Sequence, residues 1–274
     1  MNSRTKIVLA LCLIVSIFIG LVLSIGTLIS YENIGHAESN TYIGTNIVDS
    51  RGFQNNTEWP NIHSNVKTDF NSNVTYPRID ASAFVHPFAV VIGDCYIGKK
   101  VLVAPTAVCR GDEGVPIHVG DFSNIQDGVI LHAVDTIKNG TNIDNKRFSQ
   151  TGDRLLANDS KFKSGYAIYI KGNVSLAHDS LIHGPVWIGN NTIIGMKSIV
   201  FDSKIGNNVA IRLGSIVVGV EIPDNKLVPI GSIITTQSQV DLLPSANNSW
   251  NLNRADLINS KELATAYREG EGNK

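Results

Sequence analysis

Cysteine, aromatic residues and an excess of either charge are all scarce in this 274-residue chain. Three cysteines cannot build a disulfide framework, and because Cys12 lies in an apolar head, Cys95 and Cys109 offer one bridge at most. With 23 Lys+Arg against 24 Asp+Glu the formal net charge is -1, so the electrostatic footprint of a nucleic-acid binder is missing. Hydrophobic residues reach 43% against 17% charged, which is too apolar for a disordered chain, and 24 Gly with 9 Pro exclude a collagen-like one. The fold must rest on aliphatic packing, in one large domain or two ordinary ones.

One long apolar run is present. Ile7 to Ser30 carries no charge and follows Arg4 and Lys6. Its length exceeds a secretory core of about 7 to 15 residues and suffices for a membrane span of about 20. Gly35-His36-Ala37 offers a small-residue cleavage site further on. Residues 1–37 therefore read as a membrane anchor or a cleaved signal peptide, and the positive flank predicts an exported body, extracellular or at the cell surface. Residues 38–76, polar and rich in Asn and Ser, read as a linker or extended arm.

From Ile79 the chain falls into hexads. Ile79, Val85, Val91, Ile97, Val103 and Cys109 open them, with Ala83, Ala89, Cys95, Val101 and Ala107 at fifth places. The pattern resumes at Val119, Ile125 and Leu131, returns after a long insertion at Ile170, Leu176, Ile182, Ile188, Ile194 and Val200, and continues after one deletion at Ile205, Ile211 and Val217. A fixed period of this kind means a solenoid, whereas a β-sandwich would show turn signals every 8 to 12 residues or so. An aliphatic at each sixth residue points inward from a short strand, and Gly98, Gly120, Gly189, Gly195, Gly206 and Asn207 ease the corners. Three hexads make one triangular coil, and coils stack about 4.8 Å apart, so each face becomes a parallel sheet. The predicted all-β solenoid covers residues 77–236, with an exposed, mobile insertion over 135–165. Cys95 and Cys109 fall on inward places and read as buried small hydrophobes. Residues 237–274 lose the period. Ala255 to Tyr267 has helical spacing, with Leu257, Leu263, Ala264 and Tyr267 on one face, and is expected to pack along the outside of the coil.

Of seven histidines, three share a pattern. His132 and His183 each take the second place of a hexad, and His178 the third place of the hexad before His183. If the insertion preserves the coil phase, His132 and His183 stack on one face about one rung apart, close enough to converge on a Zn²⁺ with Zn–N of about 2.0 to 2.1 Å. His178 then lies on another face, where it reaches only an ion held by a neighbouring prism. The spacing thus predicts a homotrimer with three interfacial metals, each bound by His132 and His183 of one chain and His178 of the next. Three neutral imidazoles with an open position suit a catalytic zinc, and imidazole suits Fe²⁺ or Co²⁺ as well.

Arg110-Gly-Asp-Glu-Gly114, Gly120-Asp-Phe-Ser-Asn-Ile-Gln-Asp-Gly128 leading to Leu131-His132-Ala133, and Ser175-Leu-Ala-His-Asp-Ser-Leu-Ile-His-Gly-Pro185 together resemble the γ-class carbonic anhydrases over about Tyr76 to Pro244. The resemblance implies a left-handed parallel β-helix of hexapeptide repeats with a C-terminal α-helix, a trimer, and reversible hydration of CO₂ to bicarbonate by hydroxide held at zinc or ferrous iron. Residue by residue it implies an ion pair between Arg110 and Asp127 across the subunit interface with Asp112 in the same network. Asn124 and Gln126 would sit beside the reacting water, and Glu113 would take its proton. Asp135 stands where the family prototype has a Glu that shuttles protons to solvent, and reaches one methylene less far. A C-terminal Asn of the prototype corresponds to Asn259 with a one-residue shift, and its nearby Tyr meets Leu257. The competing readings are a catalytically silent relative that binds bicarbonate or serves assembly, and a hexapeptide-repeat acyltransferase, whose cytosolic acyl carriers an export segment argues against.

Overall fold

A computed structural model describes residues 60–69, 71–133, 137–138, 141–142, 146–246 and 252–271. The Ile7–Ser30 run, the Gly35–Ala37 stretch and Asp135 lie outside them. No helix among the described residues is long and apolar enough to cross a membrane.

The hexads wind into a left-handed parallel β-helix of about eight coils. One face runs through Val90–Gly93, Val108–Gly111, Ile130–His132, the start of Leu181–Ile188, the start of Ile199–Ile205, and Ile216–Val218. The second runs through Arg78–Ile79, Cys95–Ile97, Ile117–Val119 and Ile168–Ile170 to the ends of the same two long strands. The third is a seven-stranded sheet from Phe84–Val85 to Leu227–Val228, including Asn124–Ile125 and Ser175–Leu176. Ile170 pairs with Ile188, 18 positions on, while Ile188 pairs with Ile205 and Ile205 with Ile222, 17 on each time. The single deletion read from the sequence therefore recurs in the next coil. Both excursions from the period keep register: Cys109 pairs with Leu131 and Leu131 with Ile182.

The hexad-opening aliphatics Val91, Ile97, Val103, Ile125, Leu131, Leu176, Ile182 and Ile188 are fully buried in one column, each contributing on the order of 1.5–3 kcal/mol by leaving water. Cys95 and Cys109 are free thiols in the same column, and burial, with Cys95 alongside, pushes the Cys109 thiol up. The corners divide their labour differently from the sequence reading. The left-handed backbone falls two residues later, at Lys100, Phe122, Asn173, Asn191, Asn208 and Asn225, one above another. Gly120 and Gly189 are needed for close approach instead, since a Cβ there would lie 2.7 Å from Lys171 C and 2.6 Å from Asn207 N of the next coil.

Helix α1 (Gln237–Asp241) ends the last coil, and α2 (Leu252–Glu271) packs on the third face. There Ala264 and Ser260 are buried, Tyr267 stacks on Phe84 at 4.8 Å, and Lys261 lies over the Phe122 ring. Leu263, expected on the packed face, is 44% exposed. The helix is docked by small and polar residues because the third face offers Asn124 and Phe84 where a purely aliphatic stripe would leave an amide unpaired.

The insertion is also less open than its composition predicts. Lys146–Phe148 and Arg154–Leu156 pair antiparallel, Phe148, Leu155 and Phe162 are buried, Trp187 Nε1 donates to the Gln150 carbonyl, and Arg154 Nη1 donates to Asp202 Oδ1 at 2.6 Å. Three apolar side chains in a polar stretch give it a small core of its own against the second face.

On that face the outward positions Arg78, Tyr96, His118, Tyr169 and Trp187 stand one coil apart. Tyr96 and Tyr169 sandwich the His118 ring at 4.7 and 4.3 Å, and His118 Nδ1 donates to the Ile170 carbonyl. Burial lowers the His118 pKa by more than the Ile170 hydrogen bond and the Asp121 charge raise it. An unfolded His titrates near about 6.5, so below that the unfolded chain binds more protons than the folded one. This contribution to stability is complete above about pH 6.5 and is lost as pH falls toward the depressed folded value. His118→Phe keeps a stacked ring with no charge to gain. Its urea midpoint should fall less than the parent's between about pH 7.5 and about pH 5.5.

Candidate metal centre

The first face presents Ile92, Arg110, His132, His183, Phe201 and Val218 outward in one column, successive coils in direct register. The long insertion keeps the coil phase, so His132 and His183, 51 positions apart in sequence, are neighbours with ring centroids 5.1 Å apart. His183 Nδ1 contacts the Gly184 carbonyl oxygen at 3.1 Å. A carbonyl only accepts, so Nδ1 carries the proton and Nε2 is left with the lone pair a metal needs.

Between Val108–Gly111 and Ile117–Val119 the chain makes a short excursion that carries two carboxylates to this column. Arg110 Nε donates to Asp112 Oδ1 at 2.9 Å and Arg110 Nη2 to Glu113 Oε1 at 2.5 Å. Glu113 Oε1 also lies 3.1 Å from His132 Nε2. Ligating atoms of Asp112, Glu113 and His132 all fall within 4.8 Å of one another. The Arg110 guanidinium is partly exposed, so these ion pairs set position more than stability.

His178 occupies a corner of the prism, between the third face and the first. Its Nδ1 donates to Asp127 Oδ2 at 3.0 Å, which again leaves Nε2 with a lone pair. Arg110, Asp112, Glu113, His132 and His183 thus come together within one chain, while His178 and Asp127 form a second group. The Arg110–Asp127 pair implied by the resemblance is not made within the chain: Asp127 holds His178, and Arg110 holds the two carboxylates.

Asn124 and Gln126 sit on the third face in the same coil as Asp127. Asn124 is fully buried under α2, donating from Nδ2 to Ser260 Oγ at 2.8 Å and accepting from Ser175 Oγ at 2.9 Å. Gln126 Nε2 donates to Ser175 Oγ at 3.3 Å, so its carbonyl oxygen remains available. Asn259 is exposed, and its neighbour Ser260 makes the contact to Asn124. Ser175 and Ser260 are the residues that sequence reasoning missed. The hexad phase places Ser175 directly beside Asn124, whereas nothing local marks Ser260.

The donor set suits a divalent cation of borderline softness: imidazole nitrogens, with the lone pairs of His183 and His178 fixed by a hydrogen bond at the other nitrogen, and carboxylate oxygens close by. Within one chain, His132 and His183 are placed to share it.

No family model matches the chain. It is 42% identical over 215 residues to the carbonic anhydrase of Methanosarcina thermophila, covering 77% of this chain and 83% of that protein. A carboxysome assembly protein, CcmM, of a Nostoc species is 38% identical over 177 residues, 65% of this chain but 28% of the larger protein. Among solved structures, a Bacillus cereus protein named as an acetyltransferase superposes with a TM-score of 0.50 at 21% identity, covering 76% of this chain and 98% of that one, a likeness of fold alone. With that identity extending over most of the Methanosarcina protein, the chain belongs to the γ-class carbonic anhydrase family.

Proposed function

We propose that this protein catalyses the reversible hydration of CO₂ to bicarbonate and a proton at a metal site shared between the subunits of a homotrimer, outside the cytoplasm. The observation that carries the reading is the convergence of Glu113 on the His132–His183 pair, with His178 presenting a free Nε2 from a different corner. When bound, the cation, Zn²⁺ or else Fe²⁺ or Co²⁺, is a Lewis acid that lowers the pKa of a water in its open position. The chain's own groups do the rest. Arg110 Nη2 holds the Glu113 carboxylate against the histidine pair, where Oε1 can take a proton from the reacting water. Gln126, its amide turned to Ser175, offers its carbonyl oxygen to orient water or bicarbonate. Asp135, outside the described residues, is proposed to pass the proton on to solvent. The charge-free run at Ile7–Ser30 behind Arg4 and Lys6 supports export, which fractionation of the producing cells tests.

The surface favours the trimer. On the first face Ile130, Leu181, Ile199, Ile216 and Ile233 point outward beside the histidine column, in register and at least partly exposed. Along the corner that carries His178, the following coils present Met196, Leu213 and Ile230, all about half exposed. Two adjacent apolar stripes running up the prism, one continuing the His178 corner and one between that corner and the histidine column, are what a heterologous, ring-closing contact between copies needs.

Three outcomes are expected. In an equimolar mixture of His178→Ala and His132→Ala chains, each inactive alone, about a quarter of the sites should regain both halves and bind metal. Absence of metal in verified mixed trimers would remove the shared site. Asp127→Asn should leave the trimer intact but weaken metal binding by about 10- to 100-fold, because His178 loses the carboxylate that orients it; competition with a chelator reads this. Glu113→Gln should keep full metal content and slow CO₂ hydration by about 10²- to 10⁴-fold in stopped-flow assays. A parent that holds metal yet hydrates no CO₂ would place the chain with the catalytically silent relatives.

A further inference from the structure

The segment read as a linker is folded where it is described. Ile62–His63 adds a strand to the edge of the first face, in parallel register with Val91 and Ile92. Beyond it the chain makes a loop closed by Asn65, 3% exposed, whose Oδ1 accepts from Thr75 N at 2.7 Å and whose Nδ2 donates to Asn73 O at 2.8 Å. At the far end of this loop Asn71 is 6% exposed and held on every side. Its N–H donates to Thr68 Oγ1, its carbonyl accepts from Thr68 N, and its Oδ1 accepts from Asn73 N. The remaining group, Nδ2, donates to the main-chain oxygen of Asp112 at 3.1 Å, 41 positions away.

Asp112 is the residue before Glu113. From the inner side the same excursion is fixed at Gly111, where a Cβ would lie 2.7 Å from the Asp94 carbonyl oxygen, so the backbone sits directly on the coil below. After Glu113 the chain turns through Gly114 at φ +87°, a hinge that permits other conformations. The peptide between Asp112 and Glu113 is held at its carbonyl by Asn71 and, through the side chains of Asp112 and Glu113, by Arg110; without the carbonyl bond the peptide can turn and carry the Glu113 carboxylate off His132.

We propose that Asn71 is a positioning residue for the hydration reaction: its side-chain amide clamps the Asp112 carbonyl and so aims Glu113 at the histidine pair. The proposal rests on the reading of Glu113 as the proton acceptor. Displacement of a reacting group by about 1 Å costs up to about 10²-fold in rate, while loss of one hydrogen bond at the rim of a long solenoid leaves folding and metal ligands in place.

Asn71→Asp has the same shape and keeps the acceptor for Asn73 N but loses the donor; Asn71→Ala loses both. In the metal-loaded full chain, each should lower kcat by about 10- to 100-fold with KM, metal content and oligomeric state unchanged. Val74→Ala, an exposed site on the same loop, should have no effect. In a Glu113→Gln background neither Asn71 change should slow the reaction further, because the group it positions is already disabled. A crystal structure of Asn71→Asp supplies a readout independent of turnover: the Glu113 carboxylate should move out of hydrogen-bond reach of His132 while Leu131 and Ile182 keep their places. Full activity in both Asn71 variants, or a loss that multiplies undiminished onto Glu113→Gln, overturns the proposal. If the parent hydrates no CO₂, that result counts against the functional reading, and the variant's structure then decides for Asn71: a Glu113 carboxylate unmoved in Asn71→Asp overturns it.

Discussion

One constraint governs this molecule: a side chain at each sixth position must point into a closed triangular interior. The inward column leaves no room for a phase error, because a one-residue slip would turn every aliphatic of the following coils toward water. Register therefore survives both a short excursion after Cys109 and the long insertion after Leu131, and Leu131 still meets Ile182. The residue after an inward one points outward, so the packing of Leu131 on Ile182 also places His132 beside His183. The histidine pair is a consequence of core packing, and it needs no contact of its own to form.

This explains which parts of the site could be read from sequence. The hexad phase carries the residues that a strand aims, His132, His183 and the inward cysteines; it put His178 on another face, and the structure puts it at the corner between the third face and the first. The Arg110–Asp112 contact fits the network that the resemblance implies, while the bonds of Glu113 to Arg110 and of Asp127 to His178 were not legible, since the phase says where a side chain leaves the coil and nothing about which way it then bends. Leu263 and the residues around it show a second limit. A helical period marks a face, yet α2 docks through Ser260 and Ala264 because the surface beneath holds the buried amide of Asn124, and burying that amide against leucine would cost more than the apolar area returns.

Asn71 and Ser260 stayed hidden for the same physical reason. Each acts through a hydrogen bond to a residue far away in sequence, 41 positions to Asp112 and 136 to Asn124, and each lies in a segment without hexad pattern. A polar residue in such a segment looks like solvent-facing chain until the fold covers it. The insertion behaves likewise: Phe148, Leu155 and Phe162 are too sparse to make a periodic signal, but together with Trp187 they suffice to fold a hairpin against the coil.

The same division bears on how a solenoid can support chemistry at all. Stacked coils offer rigid rows of side chains about 4.8 Å apart, which is the right scale for two imidazoles to share an ion but fixes all of them on one plane. Anything that must approach that ion from another direction has to leave the period. Here the departures are the Arg110–Gly114 excursion, which lifts two carboxylates onto the histidine column, and the corner at His178, which stands apart from that column and bonds to Asp127. The coil thus supplies precision along one axis, and irregular segments, braced from outside by the N-terminal loop and by α2, supply the remaining directions. In this arrangement the histidine pair obeys the repeat, while the carboxylates beside it and His178 stand where the chain departs from it.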